Sequence, residues 1–140
     1  MKLFEVQKIS YFPPNKGYEV ILEEVSGNIK FSILVGSKEA QAIGIALEDI
    51  QTPRPNTYDV ILDILSSADI KIGKIEFYKC IKGTIYSKIY LKSIVFGVKS
   101  IDCRPSDSMA ISVKYCCPIS VSKRVLNKIK FKNIKSDNEF

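Results

Sequence analysis

The amino-acid sequence contains no histidine among its 140 residues. Histidine is the usual general base near neutral pH, and it supplies ligands in HEXXH and HD-type metal sites. Its absence excludes Ser-His-Asp and Cys-His catalytic groups. Any hydrolytic chemistry of this chain must therefore use carboxylates, arginine, lysine, tyrosine or a metal ion held by oxygen ligands.

Other common signals are also missing. The four cysteines have no C-x-x-C spacing, so a tetrahedral zinc site is not expected, and we interpret them as buried cytosolic thiols. No run reaches the roughly 18 apolar residues of a membrane span. Glu5 lies where a signal peptide has its apolar core. These features predict a cytoplasmic protein with no membrane partner.

Length, composition and charge point to a single domain with a basic end. The chain has 46% hydrophobic and 26% charged residues, which suits one globular core. The formal net charge is +6, and residues 123–140 hold six basic and two acidic residues. Such a segment can bind a phosphate backbone non-specifically. A basic C-terminal segment is, however, more commonly a solvated lysine-rich tail without such a contact.

Hydrophobic periodicity predicts an α+β fold for this single domain, with an antiparallel or mixed sheet and about four helices in the order βββ-αα-βββ-α-β-α. The helices are predicted at residues 38–49, 58–68, 106–115 and 123–129. We expect the domain to cover residues 1–130, and residues 131–140 to be a basic, frayed tail.

The placement of arginine is the most informative pattern. Two of the three arginines, Arg54 and Arg104, precede a proline, which favours an extended backbone at the arginine. A carboxylate follows each one at the start of a predicted helix, namely Asp59 and Asp107. Because a helix N-terminus offers free N–H groups and a positive dipole end, an adjacent guanidinium could complete a bidentate phosphate clamp.

These patterns define candidate site residues and leave a structural alternative open. The candidate catalytic residues are Glu39, Arg54, Asp59, Asp102, Arg104 and Asp107. Asp59 and Asp107 are also candidate ligands for Mg²⁺ or Mn²⁺, and no organic cofactor is predicted. The candidate nucleic-acid-binding residues are Lys38, Lys123, Arg124 and Lys128. In the structural alternative, the Arg–Asp elements are an ion-pair network that pins loops together. The tyrosines at positions 78, 86 and 90 are a separate cluster, whose pattern favours sheet packing over base stacking.

Three segments carry a family resemblance: Gly36–Ile43, Arg54–Asp59 and Asp102–Ala110, followed by Pro118-Ile119. In order and spacing they resemble the bifunctional nuclease family, also known as a domain of unknown function, from about residue 3 to residue 126. The resemblance implies an α+β domain of bacteria and plants that is credited with both RNase and DNase activity.

The sequence departs from the family pattern at three positions. The family commonly has R-P-x-T-H-D, where this chain has Tyr58 in place of the histidine. It also commonly has D-A-R-P-S-D-A, where Cys103 and Ser108 replace the two alanines. The change at position 58 removes the one histidine that a nuclease mechanism could have used.

The resulting hypothesis is a non-specific nuclease that acts on RNA and DNA phosphodiesters with divalent-metal assistance and binds nucleic acid weakly. The alternative is a non-catalytic oligomeric binding or scaffold protein, whose Arg–Asp elements are structural or bind an anionic small ligand. A homodimer is compatible with either, since hydrophobic strands need a covered edge.

Overall fold

The computed structural model describes residues 2–12, 17–129 and 131–133, which contain eight strands and four helices. The strands are β1 (Lys2–Phe12), β2 (Gly17–Glu24), β3 (Ile29–Val35), β4 (Lys71–Ile81), β5 (Thr84–Ser93), β6 (Gly97–Cys103), β7 (Ile119–Val121) and β8 (Phe131–Asn133). The helices are α1 (Ser37–Leu47), α2 (Thr57–Ser67), α3 (Pro105–Tyr115) and α4 (Lys123–Lys128). No helix within these ranges is long and apolar enough to cross a membrane.

The strands form one mixed sheet in the order β6-β5-β4-β7-β1-β2-β3-β8. Its neighbours are antiparallel except β4 and β7, which are parallel. The predicted α+β class and element order are confirmed. One strand is additional: Phe131–Asn133, the first residues of the predicted tail, pair with Ile29–Phe31 of β3. The rest of that tail, residues 134–140, lies outside the described residues.

The core lies between the sheet and the helices α1 to α3. Strand β7 occupies its centre, and Ile119, Ser120 and Val121 are all buried, as expected for a strand with a parallel neighbour and cover on both faces. Helices α1 and α3 pack on each other and on β1, and α2 contacts α3. None of the residues of α2 is fully buried, because this helix lies over a cleft.

Strand β5 shows which residues face the helices. Its buried side chains are Ile85, Ser87, Ile89 and Leu91, and Ser87 reaches Ser108 of α3. The alternate side chains of β5 therefore point to the opposite face of the sheet.

Candidate functional site

The site is built where β6 ends and α3 begins. Arg104 is the N-cap of α3, with extended backbone angles (φ −75°, ψ 151°), and Pro105 occupies the first turn. The sequence predicted this extended arginine from the proline that follows it. Because the chain turns sharply there, the Arg104 side chain and the first turn of α3 lie next to each other.

Two carboxylates from different helices hold the Arg104 guanidinium. Its Nε donates to Oδ2 of Asp107 at 3.0 Å and its Nη2 donates to Oδ1 at 3.1 Å, which is a bidentate pair. Oε1 of Glu39, in the first turn of α1, lies 3.5 Å from Nη1. The Arg104 side chain is nevertheless 65% exposed, so it is fixed in orientation but open to a ligand.

Tyr58 joins this group from the first turn of α2. Its hydroxyl donates to Oδ1 of Asp107 at 2.7 Å. Burial and this bond raise the pKa of Tyr58 well above its ordinary value. Burial alone would raise the pKa of Asp107, but the hydrogen bonds from Arg104 and Tyr58 and the charge of Arg104 together lower it. Tyr58 therefore stays protonated and Asp107 stays ionised near neutral pH.

The group lies on the rim of a cleft of about 680 Å³, a volume typical of ligand sites. The charged and hydroxyl-bearing residues of the rim are Lys38, Glu39, Thr57, Tyr58, Arg104 and Asp107. The larger aliphatic side chains of the lining come from α2, α3 and strands β4 to β6. These residues are Ile61, Leu65, Ile72, Ile89, Leu91, Ile101 and Ile111.

The two residues that replace alanines in the family pattern contact each other beneath Arg104. The Cys103 Sγ lies 2.9 Å from the Ser108 Oγ, which also lies 2.5 Å from the Ser87 Oγ. Ser87 and Ser108 are fully buried, and their hydroxyls satisfy each other. The polar replacements are therefore accommodated in the packing between β5, β6 and α3.

Asp59 is not part of the Arg104 group. It forms a capping box with Asn56, in which each side chain accepts a hydrogen bond from the other residue's backbone N–H. Its Oδ1 also pairs with the Lys114 ammonium of α3. The hydrogen bond from Lys114 is the main reason why the pKa of Asp59 is lowered. Asp59 thus fixes α2 against α3 and lines a second cleft, beside Lys114.

Arg54 and Asp102 also lie apart from the group. Arg54 is exposed, and its guanidinium makes no hydrogen bond or ion pair with the residues that the structure describes. Asp102 accepts a hydrogen bond from the Tyr78 hydroxyl at 3.0 Å, on the opposite face of the sheet. The structure therefore brings together three of the six candidate catalytic residues, Glu39, Arg104 and Asp107.

The candidate nucleic-acid-binding residues divide in the same way. Lys38 lies on the cleft rim. Lys123, Arg124 and Lys128 belong to α4, at the end of β4. Arg124 Nη2 donates to the Tyr78 carbonyl at 3.2 Å and Lys128 Nζ donates to the Cys80 carbonyl at 3.1 Å. These cations therefore lie away from the Arg104 group.

The candidate metal ligands do not fit one shared ion. Asp59 and Asp107 line different clefts, and each is paired with a basic side chain. Within the described part of the chain, no three or more His, Cys, Asp or Glu side chains are grouped so that they could hold a metal ion.

Sequence reasoning missed two partners in this region. Tyr58 stood out only as a departure from the family pattern, yet it is the hydrogen-bond donor that fixes Asp107. Lys114 gave no signal, because it lies 55 positions from Asp59 in the sequence and only the packing of α2 on α3 brings them together.

The fold and the site define a single α+β domain with an arginine–carboxylate group on the rim of an apolar cleft. The family model of the bifunctional nuclease domain matches residues 20–133, which is most of the chain. The chain therefore belongs to the bifunctional nuclease domain family.

The chain is also similar to individual proteins of a bacterium and of plants. Two Mycobacterium tuberculosis proteins, each described as uncharacterized, are 29% identical over 107 residues, covering 76% of this chain and 63% of their own length. Bifunctional nuclease 1 of Oryza sativa subsp. japonica is 25% identical over 108 residues, which is 76% of this chain and 33% of that protein. Bifunctional nuclease 2 of Arabidopsis thaliana is 24% identical over 116 residues, 80% of this chain and 34% of that protein. The chain spans less than two thirds of the length of each.

Proposed function

We propose that this protein hydrolyses phosphodiester bonds of RNA and DNA with little sequence preference. Its family and the names of its plant relatives support a nuclease-type function. The observation that carries the proposal is the Arg104 guanidinium, which is held by Asp107 and Glu39 and yet 65% exposed at the mouth of a cleft.

Arg104 is the proposed phosphate-binding group. A guanidinium has five N–H donors, and the hydrogen bonds to Asp107 use two of them. The others can reach a phosphate oxygen without breaking that pair. A donor that is already oriented stabilises the charge that develops on the phosphate during attack by water. Lys38, on the same rim, adds a second positive charge.

Glu39 is the proposed general base. Tyr58 cannot take a proton near neutral pH, because its raised pKa keeps the hydroxyl protonated, and the hydroxyl is already donated to Asp107. Glu39 is the other rim carboxylate and its side chain is 30% exposed. It would accept a proton from the attacking water, while the P–O bond breaks and the leaving oxygen takes a proton from solvent.

A divalent ion, Mg²⁺ or Mn²⁺, is a further proposed aid. Glu39 and Asp107 are the carboxylates that share the cleft rim. The roles given to Arg104 and Glu39 do not depend on an ion between Asp59 and Asp107. Activity measured in EDTA, and again after Mg²⁺ or Mn²⁺ is added, separates the metal-dependent route from the metal-independent one.

A purely structural role for the Arg104 pair is the weaker explanation. Exposed ion pairs contribute about 0–1 kcal/mol, and the Arg104 side chain is 65% exposed. The second candidate function is binding of a small anionic ligand without catalysis. The aliphatic lining of the cleft favours it, because that lining would bury the apolar part of such a ligand beneath the rim.

The test compares Arg104→Ala and Arg104→Lys with the wild type on labelled single-stranded RNA and DNA. We expect a loss of at least about 100-fold in turnover, because neither variant restores the bidentate geometry. Arg54→Ala is the matched control, as it removes an exposed arginine that follows the same R-P pattern. If the highly purified wild type and Arg104→Ala show the same trace activity, the proposal is wrong and the ligand-binding function remains.

A further inference from the structure

The sheet face opposite α1 to α3 carries a second cluster of aromatic and basic side chains, which the Arg104 site does not use. Strand β5 places Tyr86, Lys88 and Tyr90 there, because its alternate residues are buried on the helix side. The neighbouring strand β4 adds Tyr78, whose hydroxyl bonds Asp102. We call this surface, with its lysines described below, the tyrosine face.

A β-bulge concentrates side chains on this face. The register between β4 and β5 shifts between Phe77 and Lys79, so that Tyr78 and Lys79 are both directed toward Tyr86. The Tyr78 and Tyr86 ring centroids lie 6.4 Å apart at an interplanar angle of 61°. Both rings are half-buried, so they are supported by the sheet and still offer part of their surface.

Lysine ammonium groups lie over these rings. The Lys88 Nζ is 4.3 Å from the Tyr78 ring centroid, and the Lys79 Nζ is 4.7 Å from that of Tyr86. These are cation–π distances. A flexible lysine can leave a ring for a phosphate oxygen, and it then uncovers the ring for a base.

The carboxylates of this face are already paired. Glu76 is buried, accepts a hydrogen bond from the Tyr90 hydroxyl at 2.8 Å and lies 3.5 Å from the Lys74 Nζ. Asp102 accepts from Tyr78. Basic groups outnumber these two carboxylates on and beside the face. They are Lys74, Lys79, Lys88, Arg124 and Lys128.

We propose that the tyrosine face binds single-stranded nucleic acid. Bases would stack on Tyr78 and Tyr86, and the phosphates between them would be bound by Lys79 and Lys88. Aromatic side chains beside a basic surface bind single strands without sequence preference, because every base has a π-face while a duplex keeps its base faces hidden. A positive excess fits a phosphate backbone better than it fits a second copy of the same face.

The tyrosine face adjoins the Arg104 site at the edge of the sheet. Asp102, the partner of Tyr78, lies on this face. Arg104 lies two residues later and contacts Glu39 of α1 and Asp107 of α3, on the helix side of the sheet. A strand held on the face can therefore continue around the end of β6 to the guanidinium. This route rests on the proposed function, whereas binding to the tyrosine face does not.

The experiment measures binding by fluorescence anisotropy in EDTA, with the full chain and labelled oligo-dT and oligo-U of about 12 nucleotides. We expect Tyr86→Leu to weaken binding about fivefold or more, whereas Tyr86→Phe, which keeps the ring, binds as the wild type does. Tyr11→Leu is the matched control, since Tyr11 is an exposed strand tyrosine on β1.

The salt dependence gives a second readout that does not depend on the stability of a tyrosine variant. Lys88→Ala should reduce the slope of log affinity against log salt by about 0.7, the value for one phosphate contact to a single strand. Lys8→Ala removes an exposed charge from β1, two strands away from β4, and should leave the slope unchanged.

Three results would overturn the proposal. The first is that the wild type does not bind the oligonucleotides. The second is that Tyr86→Leu and Lys88→Ala bind as tightly as the wild type. The third is that Tyr86→Leu changes the oligomeric mass without a change in binding, which would make the face a contact between copies of the chain. If Arg104→Ala binds as the wild type does and neither protein cleaves the oligonucleotides, nucleic-acid binding by the tyrosine face is supported. The same result contradicts the nuclease proposal.

Discussion

At the scale of single residues, the protonation of Tyr58 decides what the Arg104 group can do. Its hydroxyl donates to Asp107, and its raised pKa means that it does not release a proton near neutral pH. The hydroxyl therefore orients Asp107, and Asp107 in turn orients Arg104. Tyr58 is a positioning residue in this arrangement, and in the proposed reaction proton transfer is left to Glu39.

We therefore predict that Tyr58→His increases phosphodiesterase activity near neutral pH. An imidazole has an ordinary pKa of about 6.5 and can accept a proton where the tyrosine cannot. Turnover of labelled RNA, followed across pH, should gain a rising limb near that pKa. Tyr58→Phe is the control, and it should gain neither activity nor the limb. A Tyr58→His variant no more active than the wild type would contradict the prediction and show that a base at position 58 does not take part in proton transfer.

We also predict an acid-dependent contribution of Asp107 to stability. Its pKa is lower in the folded protein than the value of about 3.9 in an unfolded chain. Ionised Asp107 therefore stabilises the fold above about pH 4, and this stabilisation is lost as the pH falls through the folded pKa. Asp107→Asn should be less stable than the wild type by about 1 kcal/mol near pH 7.

Urea unfolding at several pH values checks this expectation. The difference between the wild type and Asp107→Asn should shrink as the pH falls below about 4. Asp63→Asn changes an exposed aspartate of α2 and should show no such convergence. A constant difference at all pH values would mean that Asp107 acts by shape rather than by charge.

At the scale of elements, the sequence predicted local backbone structure better than it predicted which side chains of different elements contact each other. Arg54 and Arg104 follow the same R-P rule, and that rule correctly predicts an extended arginine before α3. It could not predict that Arg104 meets Glu39 of α1 while Arg54 meets none of the described side chains. Those outcomes depend on how α1, α2 and α3 pack, which local periodicity does not encode.

Two further differences have the same origin. The pairing of Asp59 with Lys114 depends on the packing of α2 on α3. Strand β8 is three residues long, too short to show an alternating pattern, and it exists because the edge of β3 offers free backbone groups. The order of the longer elements could be predicted because each one carries its own period and its own turn or cap signal.

Strand β6 is an edge strand with exposed apolar side chains. It forms one edge of the sheet, and Val98 and Ile101 on it are 63% and 51% exposed. The turn before it exposes Ile94 and Val95 almost completely. Long, apolar edges pair readily with other chains.

We predict that the protein forms a homodimer through β6. Light scattering after size exclusion should give twice the mass of the chain for the wild type. Val98→Lys should shift the protein toward the monomer, because a charged side chain on an edge strand opposes pairing. Leu34→Lys is the control: this residue is 52% exposed on β3, which lies in the half of the sheet away from β6. A monomeric wild type, or equal masses for both variants, would contradict the prediction.

At the scale of the whole molecule, β7 joins two halves of the sheet. On one side lie β4, β5 and β6, and on the other lie β1, β2, β3 and β8. Ile119 of β7 pairs with Phe4 of β1 and with Ile75 of β4, and all three side chains are fully buried. The two halves consequently share one core, and they are expected to unfold together.

The final prediction tests that cooperativity. Ile119→Ala should lower the free energy of unfolding by about 2–5 kcal/mol, because it leaves a cavity at the junction of the two halves. Ile94→Ala makes the same chemical change at a fully exposed position and should change stability by less than about 0.5 kcal/mol. Urea unfolding followed by circular dichroism and by tyrosine fluorescence should give coincident single transitions for both variants. Two separate transitions in Ile119→Ala would show that the halves have independent cores and that β7 only connects them.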